Sequence, residues 1–204
     1  QILQRCIDSI LNKTNYQNFE IVIVDNQSIE QETFHYYDEI RNNPKIRILY
    51  YDNPFNYSAI NNYAVSQLSS QYILFLNNDT EVISEDWLSA MLEHAQRNDV
   101  GVVGGKLLYP NGTVQHAGII IGIIGDSPIA AHSHRYFADD HPGYFGRLSL
   151  IQNVSAVTAA CLMMRRDVFQ EVGGFDENIA VAFNDVDLCM KIREKGYLII
   201  YTPY

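Results

Sequence analysis

Gln71 to Ser84 reads QYILFLNNDTEVIS, and its apolar run from Tyr72 to Leu76 stops at Asn77-Asn78-Asp79-Thr80. A short apolar run bounded by turn residues predicts a buried strand. The run has no polar alternation, so both faces of its sheet are covered, and that combination points to an α/β fold.

The same pattern repeats outward from this stretch. Leu3, Ile7, Ile10 and Leu11 recur at helical spacing, so the chain opens inside an amphipathic helix. The segment FEIVIVDNQS predicts a strand from Phe19 to Val24 ended by Asp25, and a helix fits Gln31 to Arg41. KIRILYY follows Pro44 as the next strand, and Tyr57, Ile60, Ala64 and Leu68 mark a third helix. Beyond the opening stretch, Ser84 is the expected N-cap of a fourth helix with Glu85 and Asp86 in its first turn, and VGVVGGKLLY returns as a strand. This alternation predicts a mostly parallel sheet flanked by helices, with a smaller mixed part after residue 108. Ligands of such sheets bind beyond the carboxyl ends of the strands, where Asp25 and the Asn77 to Thr80 cluster both fall. Doubly wound sheets usually start with a strand, so a chain starting with a helix is expected to lack its first strand.

From residue 109 the sequence turns glycine-rich. YPNGTVQHAG reads as a turn, the apolar stretch Ala117 to Gly125 is broken by glycines at 118, 122 and 125, and the segment from Ile129 to Ser149, with HSHRYFADDHPGYFG, reads as a long loop. Order returns with the buried strand in SAVTAACLMMRR and a helix from Asn184 to Lys195, stopped by Gly196 and followed by a strand.

Composition narrows the function. The chain has 204 residues, 47% of them hydrophobic and 19% charged, which suffices for one core. Its formal net charge of −10 and its lack of any Lys or Arg run disfavour nucleic acid and anionic membranes. An acidic protein that binds a phosphorylated small molecule needs imported positive charge, and a divalent metal is the usual source. Cys6, Cys161 and Cys189 are odd in number and include no C-x-x-C pair, which predicts a reducing compartment and no disulfide framework. No apolar run is long enough to span a membrane.

Several residues bear on chemistry. A Mg2+ or Mn2+ ion that bridges a diphosphate needs one or two protein carboxylates, and Asp79 in a strand-end loop meets that need; the same four residues also suit a plain turn. A D-x-D-x-T phosphohydrolase would require an aspartate nucleophile where Asn77 stands, so that reading fails. Asp25, followed by Asn26 and Ser28, fits an Asx-turn as well as a ligand contact. Asn184, as N-cap, with Asp185 and Asp187 complements a helix dipole, and Asp185 is equally suited to act as a general base. His132 and His134 share an i, i+2 spacing but read as a solvated loop, with no cysteine or acid at zinc-motif spacing.

The segments SILNKTNYQNFEIVIVDNQS, FNYSAINNYA, YILFLNNDTEV, VGGKLLYPNGTVQHAG, VSAVTAACLMMRRDVFQEVGGFDE and FNDVDLCMKIREKGY resemble, in order and spacing, the family 2 glycosyltransferases of the GT-A fold. The likeness is greatest to bacterial members that build O-antigen and related surface polysaccharides. It implies one GT-A domain, with residues 1–108 as the nucleotide-sugar half and 109–204 as the acceptor and catalytic half. It implies a UDP- or dTDP-linked sugar donor, a glycan or lipid-linked glycan acceptor, and Mg2+ or Mn2+. By position, Asp25 and Asn26 lie against the nucleoside base, and Asn77, Asn78 and Asp79 occupy the D-x-D site, with Asp79 as the metal carboxylate. Gly173, Gly174, Phe175, Asp176 and Glu177 match the GGFDE turn near donor sugar and acceptor. Asn184-Asp185 matches the Glu-Asp pair, with Asp185 as base and Asp187 on the acceptor side.

Two departures stand out: Asn77 replaces the first aspartate of D-x-D, and Asn184 replaces the glutamate. A later histidine that often completes the metal site would lie beyond Tyr204. The resemblance further implies a cytoplasmic enzyme, peripheral at the inner face of the plasma membrane and part of a longer chain. The competing expectations are a sugar nucleotidyltransferase, which calls for an early glycine-rich basic loop, and a non-catalytic nucleotide- or glycan-binding module.

Overall fold

The computed structural model describes residues 1–124 and 127–204, and no side chains within 123–129. Helices α1 (Ile2–Lys13), α2 (Gln31–Ile40), α3 (Tyr57–Ser66) and α4 (Trp87–Ala95) alternate with strands β1 (Ile21–Asp25), β2 (Ile46–Tyr50), β3 (Tyr72–Leu76) and β4 (Val100–Gly105). After them come β5 (Leu107–Leu108), β6 (Val114–His116), β7 (Ile119–Ile124), β8 (Ser127–His132), a 3-10 turn at Tyr144–Gly146 and β9 (Gln152–Asn153). β10 (Cys161–Arg165), α5 (Arg166–Glu171), α6 (Asn184–Glu194) and β11 (Leu198–Thr202) complete the chain.

The expected α/β alternation of the first half is present. β1 and β2 pair in parallel, and the central sheet has five strands in the order β3-β10-β4-β11-β9. β4 and β11 are parallel, while β10 runs antiparallel to β3 and β4 on either side, and β9 antiparallel to β11. The sheet is therefore mixed at its centre. The unbroken apolar run of β10 carries no sign of its direction, because burial on both faces gives the same pattern in either sense.

That two-sided burial sorts residues by parity. Leu162 and Met164 of β10, Val102 of β4, Phe75 of β3 and Ile199 of β11 enter one core with α5 and α6. Cys161, Met163, Val103 and Ile200 enter the other, under Leu88 and Met91 of α4. α1 bridges β1 and the segment after β3: Ile7 packs with Ile23 and Tyr37, while Cys6 and Ile10 pack with Val82.

Three local expectations are corrected. Ser84 is not the N-cap of α4, because the chain makes a further turn there: Trp87 N–H donates to Ser84 C=O at 3.4 Å and the helix starts at Trp87. Asn184 is the first helical residue of α6 and not its N-cap, since Phe183 precedes it in a left-handed conformation (φ 64°). The segment expected to be a turn and a long loop contains the β7–β8 hairpin, with Ile119 opposite His132, and the β5–β6 pair. Its scattered glycines hid the strand signal; Gly125, expected to break the run, lies outside the described residues. The remaining loop from Ser133 to Ser149 is tied back by Val114 N–H to Phe137 C=O at 2.7 Å and Tyr136 N–H to Val114 C=O at 2.8 Å. Gly196 ends α6 with φ 90° as expected, and the three cysteines are free and buried.

Candidate active site

Two strand ends present the first group of candidates. Asp25 closes β1, is 5% exposed, and its Oδ1 accepts from Ser28 N–H at 3.3 Å and from the Tyr37 hydroxyl at 3.4 Å. Burial first, then the adjacent Asp25 charge, pushes the Tyr37 phenol up to about 12. Asn26 donates from Nδ2 to Tyr51 C=O at 2.9 Å and to Asn53 C=O at 2.8 Å, so it holds the chain leaving β2. Both residues thus shape a turn at the sheet edge.

At the end of β3, Asn77 C=O accepts from the Thr80 hydroxyl at 2.8 Å, which folds the four polar residues into a tight turn. Asn78 and Asp79 are exposed. Among the described residues the Asp79 carboxylate makes neither a hydrogen bond nor an ion pair, and no three His, Cys, Asp or Glu side chains converge as a metal cage. One open carboxylate fits an ion whose shell is completed by diphosphate oxygens and water, and does not fit an ion held by protein alone.

The GGFDE turn is built by α3. Gly173 and Gly174 take φ values of 78° and 70°, which side-chain-bearing residues avoid. Asn62 grips the next residue from both sides, accepting from Phe175 N–H at 3.0 Å and donating to Phe175 C=O at 2.9 Å. Its amide also donates to Glu177 Oε1 at 3.0 Å. Asn56 donates to Glu177 C=O and buried Ser58 to Ile179 C=O, at 2.8 and 2.7 Å. Phe175 is 2% exposed among Tyr57, Phe75 and Phe169. Asp176 accepts from Asn178 N–H and Nδ2, both at 2.9 Å, and these bonds hold its carboxyl below the usual range. Asn56, Ser58 and Asn62 were not singled out from sequence; polar residues at i, i+4 (Ser58, Asn62) on a helix with an otherwise apolar face were the available signal.

Asp185 stands in the first turn of α6, half-buried. Its Oδ1 accepts from Val186 N–H at 2.8 Å and its Oδ2 from Ala159 N–H at 3.2 Å. The next residue, Ala160, gives its C=O to Asn77 N–H at 3.1 Å. A two-residue stretch of main chain therefore joins Asp185 to the Asn77–Asp79 turn. Tyr57 closes the link by donating to Ala159 C=O at 3.2 Å; burial, then Asp185, raises its phenol well above the ordinary range. Asp187 pairs with Lys191, 2.7 Å distant, as an i, i+4 ion pair.

Beside Asp185 lies a cleft of about 250 Å³ lined by Ile119, residues 130–132 of β8 and residues 181–186. His132 lines this cleft, so the expectation of a solvated loop histidine is corrected: its Nδ1 sits 2.8 Å from Nδ1 of His116. His116 is fully buried, and desolvation first, then His132, pulls its imidazole down to about 3. His134 is elsewhere, 2.6 Å from the Ser133 hydroxyl.

With this geometry in place, similarity to known proteins is informative. The chain is 47% identical over 205 residues to the protein y4gI of Sinorhizobium fredii, covering all of this chain and 22% of that one. It is 41% identical to the O-antigen biosynthesis protein RfbC of Myxococcus xanthus, covering 98% of this chain and 16% of that one. The chain thus spans about a fifth of the length of these curated relatives. Its fold matches the mannosyltransferase PcManGT of Pyrobaculum calidifontis in complex with GDP-Man and Mn2+, with a TM-score of 0.71 at 15% identity over 99% of this chain and 51% of that one. The architecture is of the GT-A type. The sequence model described as Glycosyl transferase family 2 matches residues 1–173, which hold the strand-end turns and the first glycine of the GGFDE turn, and on that match the chain belongs to glycosyl transferase family 2.

Proposed function

We propose that this chain is the catalytic domain of an inverting glycosyltransferase that moves a sugar from a nucleoside diphosphate to a hydroxyl of a glycan or lipid-linked glycan. The observation that carries the reading is the Ala159–Ala160 link, which sets a carboxylate and a diphosphate-side turn at a fixed spacing. Asp25 and Asn26 border the nucleoside base, and Asn77, Asn78 and Asp79 face ribose and diphosphate. Gly173 to Glu177 hold the donor sugar against the acceptor, with Asn184 and Asp187 flanking Asp185 on the acceptor side. Asp185 takes the proton of the acceptor hydroxyl, whose oxygen bonds to the anomeric carbon from the face opposite the leaving group. The bond from that carbon to the diphosphate oxygen breaks, and its electron pair leaves with the nucleoside diphosphate. Asp79 is the residue that would hold Mg2+ or Mn2+, and the chemistry such an ion supplies is stabilisation of charge on the departing diphosphate.

The capture of PcManGT with GDP-Man and Mn2+ supports a nucleotide-sugar donor and a divalent ion, and the name of RfbC supports an O-antigen-like product. UDP and dTDP are the donor nucleotides of this reading. The reaction belongs to the cytoplasm, at the inner membrane face where the acceptor is lipid-linked; among the described residues no helix is long and apolar enough to cross a membrane.

Calorimetric titration with UDP and with dTDP, with and without Mn2+, tests the donor side, and metal-dependent binding of either is expected. Asp185→Asn is expected to lower transfer ~100 to 10,000-fold while leaving nucleotide binding unchanged. Equal loss of transfer and binding would remove Asp185 as base.

A further inference from the structure

Around the cleft beside Asp185, two nitrogen donors are without partners among the described residues. Asn184 is 5% exposed; its Oδ1 accepts from Asp185 N–H at 2.8 Å, and its buried Nδ2 is unpaired. A buried amide donor is costly to leave unmade, but this one has no surface open to the cleft, so the ligand-facing donor has to be another group.

The second donor follows from a chain of tautomers. Nε2 of His116 accepts from Gly118 N–H at 3.2 Å and Thr158 N–H at 3.4 Å, so it carries no proton. The neutral ring then keeps its proton on Nδ1, as the hydrogen-bond network requires. That Nδ1 lies 2.8 Å from Nδ1 of His132 and donates to it, which leaves the His132 proton on Nε2. His132 Nε2 makes no hydrogen bond among the described residues, and the ring lines the same cleft as Asp185. The groups around it are His116 from β6, Asp185 from α6 and Arg135 from the turn after β8. Burial lowers its affinity for a second proton, Asp185 opposes that and Arg135 adds to it, with a net fall below the ordinary imidazole value. A second proton on Nδ1 would also face the proton of His116.

Resting on the transferase reading above, we propose that this cleft is the acceptor subsite for a pyranoside with adjacent hydroxyls. His132 is an acceptor-binding residue whose Nε2–H donates to the hydroxyl next to the one that Asp185 deprotonates, and His116 is the positioning residue that fixes this tautomer. A donor aimed at the attacking oxygen itself would draw electron density from it, so the Nε2–H serves its neighbour. An oxygen-rich ligand meets a donor on His132 and the acceptor carboxylate of Asp185 in one cleft.

The test uses the full chain and methyl pyranosides of glucose, galactose, mannose and rhamnose as probes. Nitrogen-15 spectra of the imidazoles at neutral pH are expected to show His132 protonated on Nε2 and His116 on Nδ1. A glycoside that binds is expected to shift His132 Nε2. His132→Phe should weaken that glycoside ~10-fold, the worth of one hydrogen bond, while His132→Gln, which keeps an N–H at similar reach, should recover most of it. The deoxy glycoside lacking the adjacent hydroxyl should bind wild type and His132→Phe alike, and UDP binding with Mn2+ should be the same in all variants. A proton on His132 Nδ1, equal glycoside affinity in His132→Phe, or no response to any glycoside would overturn the proposal. Glycoside responses that survive in a protein that binds no nucleotide would remove the transferase reading and leave the cleft a glycan site.

Discussion

Asp185 is oriented by main-chain atoms, with the N–H groups of Val186 and Ala159 at its two oxygens. It therefore needs no partner side chain to stay in place, and its neighbours are free to address a ligand. His116 is the opposite case, a polar side chain with no exposure at all. Its imidazole is held near 3 in the folded chain against 6.5 in the unfolded one. Below 6.5 the unfolded chain takes up a proton that the folded chain refuses, so stability should fall as pH drops from there toward 3. The slope from this residue is up to ~1.4 kcal/mol per pH unit, and it vanishes above the unfolded value. Urea midpoints measured in steps from neutral into the acid range check this, with His116→Gln expected to flatten that part of the profile; equal slopes would refute the assignment. Nothing in VQHAG distinguishes His116 from a surface turn histidine, because its burial depends on β8 and on Thr158, both distant in sequence.

At the scale of elements, the GGFDE turn depends on α3. A Cβ on Gly174 would stand 2.7 Å from Asn62 Oδ1 and 3.0 Å from the Phe169 ring, at a φ of +70°. Gly174→Ala should therefore cost at least ~1 to 2 kcal/mol of stability from the left-handed conformation alone, seen in urea denaturation. It should lower transfer further by loosening the Asn62 grip on Phe175 and Glu177. The GGFDE turn was reached through the family resemblance, whereas α1 to α3 and β1 to β4 were legible from local apolar period and turn chemistry. The β7–β8 hairpin was not, since glycines at 118 and 122 interrupt its pattern and its inner residues pack only once Ala156 and α6 are in place. The antiparallel sense of β10 was also hidden, as pairing direction is a property of the partner strands and not of CLMMR.

Across the whole molecule, the first and second halves of the chain share one sheet. β10 lies between β3 and β4, and β11 lies beside β4, so neither half has a complete sheet alone. Unfolding should be a single cooperative transition. The lone tryptophan, Trp87, bonds Thr14 at 3.0 Å at the junction of α1 and α4, so its emission reports that corner. Its denaturation curve should coincide with far-ultraviolet circular dichroism, and separate midpoints would show that the α1 corner unfolds independently. Ala159 and Ala160 reach Asp185 and the Asn77 turn through peptide atoms alone. No side-chain chemistry therefore carries the link, although a bulkier residue at buried Ala159 would strain it. On the proposed reading, sugar preference would be free to drift through changes in the hairpin and in residues 181–183, so descendants of this domain could diversify their products while inheriting the same proposed chemistry.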